Sequence, residues 1–188
     1  MVDATVIIVP GLRDDAPGHW QQRLAARLRR VRSVPPLGRA DLSSGKRVAL
    51  LDEEANAVDG PVILVAHSAG VLTVAHWAQT ARRPVQGALL AVPADLERPM
   101  PEGYPAVAAL DQAGWLPLPR QKLPFASLVG ASRNDPLCSF DRAVAFAADW
   151  GSRLVDLGLV GHLNPAAGYG DWPQAEALIA QLVAAKAA

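Results

Sequence analysis

Three residues whose types could together cleave an acyl bond are spread along this sequence: Ser68, Asp135 and His162. A serine hydroxyl is a poor nucleophile at neutral pH. It becomes effective when a histidine takes its proton and a carboxylate fixes that histidine's tautomer. Ser68 lies in Val62-Ile-Leu-Val-Ala-His-Ser-Ala-Gly70, where an apolar strand-like run gives way to helical spacing at Val71, Val74, Ala75 and Ala78. A strand-to-helix turn of this kind strains the serine backbone and lifts the hydroxyl above the sheet. The residues two before and two after must then be small, and they are Ala66 and Gly70. Alanine at the first of these departs from the strict Gly-x-Ser-x-Gly pattern but meets its steric requirement. The competing reading is a serine that merely caps a helix.

A cap needs no partners, whereas a nucleophile does. In hydrolases with this turn the acid and the histidine follow the serine, beyond later strands. The run Phe125–Val129 leads into Gly130-Ala-Ser-Arg-Asn-Asp135-Pro136, and Arg153–Leu159 leads into Val160-Gly161-His162. Asp135 is preferred as the acid because its strand adjoins the histidine's own. Asp95, after the run Val85–Val92, competes for the role; Asp141 and Asp156 suit it less.

The chain has four histidines. His67 sits inside the turn with its ring expected to point away from the hydroxyl, and His19 and His76 fall in helical segments. His162, in a glycine-flanked loop, is the candidate base, so hydrolysis should rise with pH as it loses its proton. The oxyanion would need two donors: the backbone N–H of Ala69, at a helix start, and that of Leu12, aimed by the sharp turn at Pro10-Gly11. Cys138 lacks such a turn and reads as a buried structural thiol.

The elements that must position these groups alternate along the chain. Strands are expected at Thr5–Val9, Val62–Ala66, Val85–Val92, Phe125–Val129 and Arg153–Leu159, with a weak edge strand within 31–37 beside Pro35 and Pro36. Trp20, Leu24, Leu28 and Val31 mark one helix face, with Asp15 and Pro17 near its start. A second face runs through Val48, Leu51, Ala55 and Val58, with Ser44 as its cap. Further helices are expected at about 140–150 and 173–186. This predicts one α/β domain over residues 1–188: about six mostly parallel strands with helices on both faces, in three layers. Residues 93–124 hold seven of the sixteen prolines and read as a long ordered excursion. Its Met100, Tyr104 and Trp115 are candidates for a substrate-pocket wall, and Trp20 is read either as a further piece of that wall or as core packing.

At 188 residues, 51% hydrophobic and 19% charged, the chain can bury a full core. Eighteen basic residues balance eighteen acidic ones, so no electrostatic footprint for nucleic acid or an anionic membrane is visible. The arginines at 23, 27, 29, 30 and 32 read as a solvated helix face. One cysteine excludes an internal disulfide. No apolar run approaches a membrane span, and Met1-Val-Asp3 lacks a signal peptide's basic start, so a cytoplasmic protein is expected.

With these residues in place, the chain resembles a small α/β-hydrolase. More narrowly, it resembles the compact serine hydrolases grouped with retinoblastoma-binding protein nine. The features are Pro10-Gly11 after the first strand, His19-Trp20, VILVAHSAG, Val92-Pro-Ala-Asp95, Ser132-Arg-Asn-Asp135-Pro136, and Gly161-His162 with Gly168 and Trp172 downstream. The resemblance implies a shortened sheet without leading antiparallel strands or a separate lid domain. It also implies a Ser68–His162–Asp135 triad, a structural Asp95, and acyl transfer on a small-molecule ester, thioester or amide without a cofactor or metal. A non-catalytic protein-binding module of the same shape is the alternative, its protein partner unknown. A nucleotide-binding α/β domain would need a phosphate-cradling glycine loop, which the sequence lacks.

Overall fold

A computed structural model describes residues 4–13 and 17–185. Asp3 and Asp15 lie outside these, as does residue 186, the last of the expected C-terminal helix. The β-branched and aliphatic runs form six strands: β1 (Thr5–Val9), β2 (Val31–Ser33), β3 (Val62–Ser68), β4 (Gly87–Pro93), β5 (Ala126–Ala131) and β6 (Arg153–Asp156). They make one sheet in the order β2-β1-β3-β4-β5-β6, and every pairing is parallel. Among the described residues five α-helices connect them, α1 (Trp20–Arg27), α2 (Ser44–Asn56), α3 (Ala69–Trp77), α4 (Val107–Gln112) and α5 (Phe140–Trp150), and α6 (Gln174–Ala184) follows β6.

Because strand side chains alternate, each central strand feeds two cores. Ile7, Val9, Leu64, Ala66, Leu90 and Val129 point to the face covered by α2, α3 and α5. Val6, Ile8, Ile63, Val65, Leu89 and Leu128 point to the face covered by α1 and α6. The three layers expected from the sequence are therefore present. Among the described residues no helix is long and apolar enough to cross a membrane.

The chain leaves β1 toward β2 and then returns to β3 on the other side. The carboxyl ends of β1 and β3 consequently open a crevice at a topological switch point, the usual ligand position in open α/β sheets.

Several boundaries differ from expectation for local reasons. α1 stops at Arg27, and Leu28 caps it in extended backbone. Val31 is therefore not on the helix face but pairs with Val6 in the edge strand β2. α2 is capped by Ser43, whose side chain accepts from the Lys46 amide, while the Ser44 hydroxyl donates to the carbonyls of Ala113 and Gly114. β6 ends at Asp156, not Leu159; Gly158 turns with φ +73° and donates to the Asp156 side chain.

The proline-rich excursion contains the short α4, and its second half is built into the core. Leu110, Trp115, Leu118 and Leu123 are buried, and Trp150 donates its indole N–H to the Pro119 carbonyl at 2.9 Å.

Candidate active site

Ser68 ends β3 and directly precedes α3, with φ 58° and ψ −128°. A non-glycine residue at such a dihedral is strained and persists only where its surroundings enforce it. Here the enforcement is close packing. A Cβ on Gly70 would collide with the main-chain oxygens of Val9 and Pro10, so only glycine lets α3 start this close to β1. Ala66 is fully buried beneath the turn. Gly11 covers the serine from the β1 side: a Cβ there would sit 3.0 Å from the Ser68 Cβ and 3.4 Å from its Oγ.

The structure brings the three distant residues together. His162 Nε2 lies 2.8 Å from Ser68 Oγ, and His162 Nδ1 lies 2.8 and 3.0 Å from the two Asp135 carboxylate oxygens. A carboxylate accepts, so Nδ1 carries the proton and Nε2 is left to accept from the serine hydroxyl. The Asp135 and His162 side chains are 2% and 5% exposed. Asp135 also accepts from the Leu137 amide at 2.8 Å.

The loop carrying His162 is held at two points that the residue types alone did not reveal. Asn134 Oδ1 accepts from the Gly161 amide at 2.7 Å and from the Ser132 hydroxyl at 3.0 Å, which ties the loop of Asp135 to the loop of His162. His67 Nε2 lies 2.9 Å from the His162 carbonyl. A carbonyl only accepts, so His67 donates there. Burial, with help from the neighbouring His162 and His19, holds the His67 pKa well below its usual value and keeps the ring neutral. His19 caps α1 by accepting at Nδ1 from the Gln21 amide, and its ring packs edge-on to His67 with centroids 4.5 Å apart. Burial first, and then His162, lower the His19 pKa to about 4. His76 is apart from this group, with Nε2 3.0 Å from the Trp115 carbonyl.

The carboxylate bonded to His162 is that of Asp135, while Asp95 is engaged with arginine. Asp95 is 3% exposed and pairs with Arg142, its carboxylate 3.0 Å from the guanidinium Nε. Its environment therefore matches the structural role that the family resemblance implied. Cys138 is buried, and burial together with Asp135 and Asp95 pushes its pKa up to about 12.

A cavity of about 160 Å³ opens at Ser68 and is lined in part by Gly11, Leu12, Ala69, Leu96, Met100 and Tyr104. Ala69 opens α3, so its N–H is among those a helix leaves without an intrahelical acceptor. Two expected wall residues are elsewhere. Trp20 is 1% exposed and packs edge-on to Trp172 at 4.8 Å, in the core beneath α1 and α6. Trp115 is fully buried and donates to the Leu42 carbonyl at 2.7 Å, pinning the excursion to the segment before α2. Each indole fills core volume and cannot reach substrate. Among the described residues no group of three or more His, Cys, Asp or Glu is placed to hold a metal ion.

Comparison with known proteins shows the family and the fold. A family described as serine hydrolase matches residues 6–181, and the chain belongs to that family. A YdeN-like hydrolase from Pectobacterium atrosepticum is 30% identical, with a TM-score of 0.82 over 96% of this chain and 90% of that one. The ydeN gene product from B. subtilis is 17% identical, with a TM-score of 0.76 over 96% and 99%. Est1E from Butyrivibrio proteoclasticus, solved with ferulic acid bound, shares the fold at 13% identity and a TM-score of 0.70 over 96% and 90%. No curated protein matches the sequence.

Proposed function

We propose that this member of the serine hydrolase family is a carboxylesterase-like enzyme acting on small acyl esters through an acyl-enzyme on Ser68. The observation that carries the reading is the unbroken hydrogen-bonded line from Asp135 through His162 to a serine held at positive φ. A binding module of the same shape has no physical need for that line or for the backbone strain.

In the first step His162 Nε2 takes the Ser68 proton as Oγ bonds to the carbonyl carbon. The Leu12 and Ala69 amides receive the negative charge that develops on the carbonyl oxygen. His162 then returns the proton to the leaving oxygen as its bond to carbon breaks. Water, deprotonated by the same imidazole, attacks the acyl-enzyme, and Ser68 leaves with the proton. Asp135 stays ionised and orients the ring throughout. This chemistry calls on no cofactor. Within the family, the all-parallel sheet and the integrated excursion favour the compact retinoblastoma-binding-protein-nine type.

A stopped-flow assay with an activated acetate or butyrate ester tests the reading. A burst of leaving group equal to about one per chain is expected, followed by slower turnover and abolished in Ser68→Ala. Turnover that survives in Ser68→Ala would overturn it.

A further inference from the structure

We infer that the acyl substrate carries a negative charge at the end remote from the scissile bond, recognised by Arg13 and Arg39; this rests on the esterase reading of the same site. The chain as a whole is electrically balanced at eighteen basic and eighteen acidic residues. Among the described residues, the lining of the cavity at Ser68 is not: Arg13 and Arg39 are part of it, and no Asp or Glu is. Its buried histidines His19 and His67 are held neutral, so they neither add charge nor offset it. An apolar acyl group alone would gain nothing from two cations at its wall.

Arg13 is held in place for this role. Its guanidinium lies over the Tyr104 ring, 3.9 Å from the centroid, and donates to the Gly103 carbonyl at 3.1 Å. Stacking on an aromatic face leaves the edge of the fork available, and one carbonyl uses one of five N–H donors. Among the described residues no carboxylate forms an ion pair with Arg13 or Arg39, whereas Arg27, Arg32, Arg120, Arg133 and Arg142 each have one.

The charge belongs on the acyl side. A second depression of about 380 Å³ adjoins the first across Tyr104, Leu137 and His162, and among the described residues its lining has no Asp, Glu, Lys or Arg. His162, which protonates the leaving group, borders both, while Ser68, Leu12 and Ala69 border only the arginine-bearing one. The acyl carbonyl must sit among those three, with its chain running toward Arg13 and Arg39. An uncharged leaving group then occupies the second depression. The substrate class is a half-ester of a short dicarboxylic acid.

Two 4-methylumbelliferyl esters of equal chain length, the adipate half-ester and the hexanoate, test this. At low salt the half-ester should have a kcat/KM about tenfold higher, the scale of one partly exposed charge-assisted contact. The preference should shrink in Arg13→Gln and Arg39→Gln and persist in Arg29→Gln. Only the ratio is read, so losses common to both esters cancel. Binding of the same two esters to Ser68→Ala, with the same tenfold difference, reads the charge site whether or not the wild type turns over. An equal ratio in the wild type, or a ratio untouched in both arginine variants, would overturn the inference. So would a preference that appears only when the carboxylate is on the leaving group, as in 4-carboxyphenyl hexanoate. Turnover undiminished in Ser68→Ala would instead strike at the esterase reading.

Discussion

His67, the residue immediately before Ser68, donates a hydrogen bond of 2.9 Å to the main-chain carbonyl of His162. The turn that presents the proposed nucleophile thus also anchors the backbone of the proposed base, and the two rings lie 4.9 Å apart. Placement of Ser68 and of His162 is one structural event.

His67→Ala should therefore lower kcat on an activated ester by about 100-fold, since small misplacements of reacting groups cost that much. KM should change little, because His67 touches the base's main chain. His67→Gln, which keeps a donor, should recover part of the loss. Steady-state kinetics of the two variants check this; equal kcat in His67→Ala and wild type would contradict it.

The two candidate acids should separate cleanly. Asp135→Asn leaves His162 in the wrong tautomer and should cost on the order of 10⁴ in kcat. Asp95→Asn removes the charge of one of the two carboxylates paired with Arg142, the other being Glu97, and should lower the melting temperature while leaving most of the ester hydrolysis. Activity and thermal denaturation measured on both variants distinguish them.

Gly70→Ala should destabilise the fold by about 3 kcal/mol or more, because its Cβ has main-chain oxygens of Val9 and Pro10 in its way and these cannot move like a side chain. Urea unfolding of the variant reads the change directly.

Stability should fall on mild acidification. The folded His19 has a pKa lowered to about 4, while an unfolded histidine titrates near 6.5. Between these values the unfolded chain binds more protons, so stability declines as pH drops from about 6.5 to about 4 and is unaffected by His19 above that window. The full loss from His19 is on the order of 3 kcal/mol, and the buried His67 acts in the same direction. His19→Asn, which still caps α1, should flatten the decline in denaturation midpoints between pH 7 and 5.

Cys138, with its pKa pushed up to about 12, should resist iodoacetamide at pH 8 in the native protein and react within minutes in urea. Intact-mass analysis before and after unfolding checks it.

Much of this architecture was legible in the sequence. Short, largely β-branched runs such as Val62–Val65, bounded by turn residues, read as buried strands, and the serine, acid and histidine each stand at or beyond the end of a strand in the order the chemistry requires. What escaped was which buried surface a residue would choose. Trp20 and Trp115 are large and apolar, and periodicity says that such side chains go inside without saying whether inside means a pocket or a core. Adjacent serines at 43 and 44 offer two equivalent caps, and only the carbonyls of Ala113 and Gly114 decide which one enters the helix. Asn134 and His67 act through main-chain groups of a loop distant in sequence, and no local pattern records that contact.

The central claim is that Ser68 is a nucleophile driven by His162. Peptide mass spectrometry after reaction with a fluorophosphonate tests it most directly. The expected result is a single adduct on the Ser68 peptide of the wild type, none in Ser68→Ala, and a rate at least about 10³-fold slower in His162→Ala. An adduct on another residue, or equal labelling of wild type and Ser68→Ala, would contradict the account.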